Sequence, residues 1–441
     1  MPEQEQKPTV EYTALVTSPL VNGEAKLVIG EKGLTVSSLF DAIELPFAQI
    51  NALILADYLV TVKADGGDYV FSKLGNWCQP FYDALLDAYN QAVLQALFVS
   101  GEPIVTANGN YQYTENGTGA SGSAPVQVYE NSVVILPPDL GARRLPLCFV
   151  QGLDKSDYQL TLQLNTDENY TLTKLGYDSD PFAAAVEKQI RALRDKSLAA
   201  VQEIDPTLSA AQAAQIAKLV PEGAAAAFGR LAAIAPSFVA ALEAKLADTR
   251  AADGYAVFKE LSDPAQIYAG FKKNELTGAG GSGTEGTGRL SHEPQWDKRP
   301  VPSVPLAAVG DALGAGNTED AADEDTASTP DPYLLWLIAP SPDGQFAAVE
   351  FAEANSATFI YKTGGDFAIF AQQLNRALEA IDFKREVVRL TDEELLKPEN
   401  ANYYMAAKRT AALQFIRTNF AGRIIHSNPE TWKKSLLEYF S

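Results

Sequence analysis

One block of residues occurs twice. Asp57-Tyr58-Leu59-Val60-Thr61-Val62 is echoed by Asp157-Tyr158-Gln159-Leu160-Thr161-Leu162, an offset of 100 residues. Further on, Asp68-Tyr69-Val70-Phe71-Ser72-Lys73-Leu74-Gly75 is echoed by Asn169-Tyr170-Thr171-Leu172-Thr173-Lys174-Leu175-Gly176, an offset of 101. One residue was therefore inserted in the turn between the blocks. Pro80-Phe81 and Pro181-Phe182 then open the next segment at the same spacing. Whatever the first copy folds into, the second must fold into as well.

Each copy begins with short runs of Val, Ile, Leu, Thr and Tyr between Gly, Asn and Asp turns, the grammar of antiparallel strands. In the first copy strands are predicted at Tyr12–Val16, Ala25–Ile29, Leu34–Ser37, Ile43–Pro46, Ala52–Leu55, Tyr58–Lys63 and Tyr69–Lys73. The turn Ala64-Asp65-Gly66-Gly67 suits a hairpin, because glycine tolerates positive φ. After Pro80 the period becomes helical, with Phe81, Leu85, Ala88, Tyr89 and Ala92 on one face; Phe182, Val186, Ile190 and Leu193 form the second copy's stripe. About seven strands followed by one amphipathic helix bury that stripe most economically at the open end of a curled sheet.

That element order resembles the pleckstrin-homology (PH-like) superfold over residues 8–100 and 102–200. The fold class is α+β: repeated small antiparallel barrel or sheet units, each closed by a C-terminal helix, plus a helical insert and C-terminal helices. The resemblance implies binding of phosphoinositides, phosphotyrosine or other peptides, or other proteins. Lipid-binding members carry bases between their first two strands. Here that loop, Thr17–Glu24, has none, which argues against a phosphoinositide site.

A weaker echo comes late. Thr358-Phe359-Ile360-Tyr361-Lys362-Thr363-Gly364 precedes a helix with Phe367, Phe370, Leu374, Leu378 and Ile381 on one face. The segment 331–441 therefore reads as a third, partial β-α module with C-terminal helices, either a half unit or one completed by other parts of the chain. Residues 205–273 are alanine-rich and punctuated by proline, giving a helical insert with helices near Ser209–Val220, Ala235–Arg250 and Ala251–Leu261. The run from Pro221 to Ala227 reads as a short surface helix of high propensity. Residues 275–330 lack periodicity and hold a Gly-rich run and the acidic stretch from Glu319 to Asp325, the composition of a disordered linker.

Charge narrows the partners. Thirty-five basic residues against 56 acidic ones leave −21, a field that repels nucleic-acid phosphates and anionic lipid and attracts basic proteins. Cys78 and Cys148 are the only cysteines; a reducing compartment fits, and one disulfide between them is also compatible. The N-terminus has no basic region before an apolar core, and no apolar run approaches the ~20 residues needed to span a bilayer. A cytoplasmic protein is expected.

Chemistry-bearing motifs are scarce. The sequence holds no HExxH, CxxC, P-loop or GxSxG pattern, and no metal or cofactor is expected. Of the two histidines, His292 falls in the linker and His426 at a helix end. Trp77 reads as a core or cap aromatic. Two basic pairs stand out in so acidic a chain. Arg143-Arg144 is either an exposed hairpin or a small anion or peptide contact. Lys408-Arg409 flanks the stripe Met405, Ala412, Leu413, Ile416 and Phe420, which packs on the third module or grips another surface. The resulting expectation is an adaptor or scaffold that binds protein partners through its PH-like modules. Tandem PH-like units with acidic stretches also look like the architecture of nucleosome-handling factors, which gives the alternative of an acidic, chaperone-like binder of basic proteins. An unrecognised enzyme is the third possibility.

Overall fold

In the computed structural model, which describes residues 10–273 and 333–440 apart from 40, 116, 157, 250, 353–356 and 427, period-two alternation shapes the first sheet. Tyr12, Ala14 and Val16 point inward from β1 (Glu11–Thr17) while the residues between them face outward, as in a strand with one wet face. Six more strands follow: β2 (Asn22–Ile29), β3 (Gly33–Ser37), β4 (Ala42–Pro46), β5 (Ile50–Ala56), β6 (Leu59–Ala64) and β7 (Gly67–Ser72). Their hydrogen-bonded order is β4-β3-β2-β1-β7-β6-β5. Because β1 pairs with both β2 and β7, the sheet curls and leaves β4 and β5 as its edges. The helix α1 (Cys78–Ala96) lays Phe81, Leu85, Tyr89 and Val93 into the curl, all fully buried. Each of the apolar ones is worth about 1.5–3 kcal/mol relative to exposure.

The second copy repeats the plan. Its strands are β8 (Val105–Glu115), β9 (Thr118–Val128), β10 (Ser132–Ile135), β11 (Arg143–Pro146), β12 (Val150–Ser156), β13 (Gln159–Leu164) and β14 (Asn169–Thr173). The order β11-β10-β9-β8-β14-β13-β12 matches the first sheet position for position. Helix α2 (Ser179–Ile204) buries Phe182, Val186, Ile190 and Leu193. The fold is α+β, with two helix-closed antiparallel sheets.

The two units touch directly. The main-chain N–H of Leu53 on the β5 edge donates to the carbonyl of Pro138 at 2.7 Å, and Ala52 bridges Asp139. Tyr129, Val134, Leu136 and Ala142 of the second unit enter the core of the first.

The remaining chain makes a third sheet from distant pieces. In order come α3 (Ala210–Leu219), β15 (Ala225–Ala227), α4 (Phe228–Ile234), α5 (Pro236–Ala247), α6 (Ala252–Leu261) and β16 (Tyr268–Lys273). After the undescribed stretch, which contains the Gly-rich and acidic runs of 275–330 and His292, come β17 (Tyr333–Pro340), β18 (Phe346–Phe351) and β19 (Ala357–Lys362). Then follow α7 (Phe367–Ala380), α8 (Glu386–Arg389), α9 (Asp392–Leu395), α10 (Ala401–Arg409), α11 (Ala411–Asn419), β20 (Phe420–Ile425) and α12 (Pro429–Phe440). The six strands β15 to β20 lie side by side in chain order.

Two sequence expectations change here. The run ending at Ala227 is not a surface helix: Ala225, Ala226 and Ala227 form a buried edge strand. Asn375 of α7 holds it, accepting from Ala225 N–H at 3.0 Å and donating to Ala225 C=O at 2.9 Å. Tertiary hydrogen bonding overrides alanine's helix propensity there. The C-terminal stripe also divides. Thr410 breaks it into α10 and α11; Met405 joins the core of the first sheet, whereas Leu413 and Ile416 join that of the third. Cys78 and Cys148 are both free thiols. Among the described residues no helix is long and apolar enough to cross a membrane.

Candidate functional site

The polar side chains concentrate where the three sheets meet, and the four bases singled out in the sequence are all there. Arg144 is buried, and its guanidinium meets the Glu379 carboxylate of α7 at 2.7 Å. Arg376, one turn earlier on α7, donates through Nε to Glu168 at 3.1 Å and through Nη2 to the Arg144 carbonyl at 3.2 Å. Glu168 also accepts from Thr166 and Tyr170, each at 2.7 Å. Burial pushes its carboxyl up, but Arg376, Tyr170 and Thr166 outweigh burial and hold it below the ordinary glutamate range. Arg143 pairs with Glu115 at 2.7 Å, donates to the carbonyls of Leu140 and Ala142, and lies 4.8 Å from the centre of the Tyr113 ring.

The second pair does the same on the other side. Arg409 is 2% exposed and donates to the carbonyls of Met405 and Ile50, both at 3.1 Å, and to the Tyr89 hydroxyl. Lys408 reaches both oxygens of Asp65 at 2.8 and 3.0 Å. Asp65 also accepts from Tyr404 and from Asn51 Nδ2, each at 2.9 Å. Burial raises this carboxyl, yet the hydrogen bonds from Lys408, Asn51 and Tyr404 prevail and keep it below its usual range. Arg144, Lys408 and Arg409 therefore join one sheet unit to another, whereas the partners of Arg143 all lie within the second unit. Glu168, Arg376 and Glu379, which complete the junction, carried one faint sequence signal: Asn375-Arg376 interrupts the apolar face between Leu374 and Leu378.

Two of the cavities among the described residues lie at this junction. One, about 10 Å³ and lined by Leu97, Arg143, Arg144, Arg376, Ala380 and Thr410, has room for a single water. The other is an open groove of about 440 Å³ between the first and second units, lined by Asn51, Tyr111, Tyr113, Ser121, Asp139 and Gly141 among others. The rings of Tyr111 and Tyr113 lie nearly parallel, 5.9 Å apart. The Tyr111 hydroxyl is pushed up to about 12, by burial first and by the Asp139 charge second.

A second polar cluster lies behind the third sheet. His426 Nε2 is 2.9 Å from Thr358 Oγ1 and 3.2 Å from a Glu350 oxygen. A hydroxyl-activating relay places its two partners on opposite ring nitrogens; here both share one. Thr358 is fully buried, donates to Glu350 and accepts from Trp432 Nε1, each at 2.7 Å. The cluster fastens α12 to the sheet. No group of three or more His, Cys, Asp or Glu side chains suited to a metal occurs among the described residues.

On the outside, Asp57 and Tyr58 of the first copy and Tyr158 of the second fall on hairpin tips. Ala56 pairs with Leu59 and Ser156 with Gln159, so each β-hairpin closes with a two-residue turn. Asp57 and Tyr58 both have positive φ, 53° and 58°, as does Tyr158 at 63°, the requirement of a type I′ turn. Tyr58 is 85% exposed and Tyr158 80%. Lys73 and Lys174, also left-handed, follow the strands paired with β6 and β13. Trp77 occupies the N-cap position of α1 and is 62% exposed, outside the core. The β1–β2 loop, which carries no base, is tied by hydrogen bonds between Ser18 and Asn22.

No protein-family model matches the chain, and no curated protein matches it. Among solved structures it is similar to the Spt16D–Pob3N heterodimer at 10% identity, over 41% of this chain and 91% of that one, with a TM-score of 0.17. A likeness of that size carries no argument about function.

Proposed function

We propose that the protein is a cytoplasmic adaptor or scaffold that binds protein partners, organised as PH-like modules at 8–100 and 102–200 and a third unit that combines the helices and strands of 205–273 with 331–441. The observation that carries the reading is the duplicated tyrosine tip. A type I′ turn favours glycine at its second central position, and a bulky residue there is strained. Tyr58 and Tyr158 accept that strain while burying almost nothing. Their fold gains little from them, so a contact outside the fold is the economical explanation, and tyrosine is enriched among interface hot spots. The contacts that tie the first two units together favour a partner that engages both tips.

The test is a photo-crosslinking side chain at Leu59 or Gln159, beside each tip, introduced into the full chain in its native cells. The same protein should be captured from both positions, and the double change Tyr58→Gly/Tyr158→Gly should abolish capture. Unrelated proteins from the two positions, or capture indifferent to the double change, would refute the reading. The net charge of −21 favours a basic partner, and for such a partner capture should fall steeply with added salt.

A further inference from the structure

We propose that the groove between the first and second units receives a lysine or arginine side chain from a basic segment of a protein partner. The proposal rests on the adaptor reading and names the chemistry of one of its contacts. Tyr111, Tyr113, Ser121 and Asp139, each of which carries an acceptor oxygen, are among its lining residues. Nearby bases are already committed, Arg143 to Glu115 and Lys408 to Asp65. Asp139 makes no ion pair among the described residues; one of its oxygens accepts from Gly141 N–H at 2.7 Å. Asp139 is exposed, and its charge raises the neighbouring Tyr111.

The amide of Asn51 also belongs to the lining. Its Nδ2 donates to Asp65, which settles which end is nitrogen. Its oxygen is then buried without a donor. Two glycines keep the space open. A Cβ at Gly122 would meet the Tyr111 hydroxyl at 3.0 Å, and one at Gly141 the Asp139 carboxylate at 2.8 Å. A volume of about 440 Å³ accommodates a guanidinium or ammonium with its stem and adjoining backbone. An acceptor-lined groove with one free carboxylate favours a charged donor, because hydrogen bonds between ionised groups are the strong ones.

The test titrates the full-length protein with three blocked pentapeptides, glycine throughout except for a central arginine, lysine or glutamate. The arginine and lysine peptides should bind saturably and the glutamate peptide should not. Asp139→Asn keeps the acceptor for Gly141 and should weaken binding by about tenfold or more. Ser121→Arg places a guanidinium in the groove from its exposed wall and should block binding. Asp87→Asn, on the exposed face of α1, serves as a control and should change nothing. Absence of saturable binding by both basic peptides, or binding indifferent to both groove variants, overturns the proposal. If that happens while the two tips still capture one partner, the groove assignment fails and the adaptor reading stands. If the peptides bind in the groove and the tips capture nothing, the adaptor reading fails and the groove is a site for small basic ligands.

Discussion

The first two sheets and the third are built by opposite strategies. Each of the first two draws seven consecutive strands from one stretch of chain and closes them with the next helix. The third gathers β15 and β16 from before the undescribed stretch, β17 to β19 after it, and β20 after five further helices. Local pairing carries the first strategy, whereas the second depends on side chains that reach across the fold. Arg376 and Asn375, adjacent on α7, show the difference: one binds the second sheet unit to α7, the other supplies the missing partner of β15. The third sheet should therefore be the more fragile to single polar substitutions, and the first two to changes in their own cores.

The largest effect should come from Arg376→Met. It leaves Glu168 buried without its cation, and breaking such a pair costs about 3–5 kcal/mol, read as a lower urea midpoint. Adding Glu168→Leu should recover most of that loss. If the single change is silent, the junction does not hold the units together. Next, Asn375→Leu strands the N–H and C=O of Ala225 and should cost about 1–3 kcal/mol. Hydrogen exchange should show β15 opening while β1 and β8 stay protected.

Acid should separate the strategies again. The folded pKa of Glu168 lies below its ordinary value, so its stabilisation is complete above the ordinary glutamate range and disappears as pH falls through the depressed value. Stability measured against pH should decline in that window, and Glu168→Gln should flatten the decline.

The strands and helices of the first two units were legible because their apolar residues recur at period two and then at helical spacing, and because the second copy repeats the first. Helices α3, α5 and α6 were legible through their proline and serine boundaries. The strand at Ala225–Ala227 was not, since three alanines carry no strand signal and their partner, Asn375, is 150 residues away. The roles of Arg144 and Arg409 were hidden for the same reason. A basic pair reads as surface until the distant acid or carbonyl that receives it is in view.

The smallest effect has the opposite sign. Tyr58→Gly and Tyr158→Gly each relieve a left-handed tyrosine and should stabilise the fold by about 0.5–1 kcal/mol, seen as a higher unfolding temperature. Loss of stability would mean that the tyrosines serve their own hairpins, and the duplicated tip would lose its functional significance.

We predict that the buried Arg376 and Arg409 hold the two similar units at a set separation. Spin labels at Asp87→Cys and Lys188→Cys, exposed positions on α1 and α2 in a chain whose own thiols are at most partly accessible, measure that separation by pulsed electron resonance. A single narrow distance distribution that broadens with Arg376→Met is predicted. A broad or multiple distribution in the unaltered chain would contradict it.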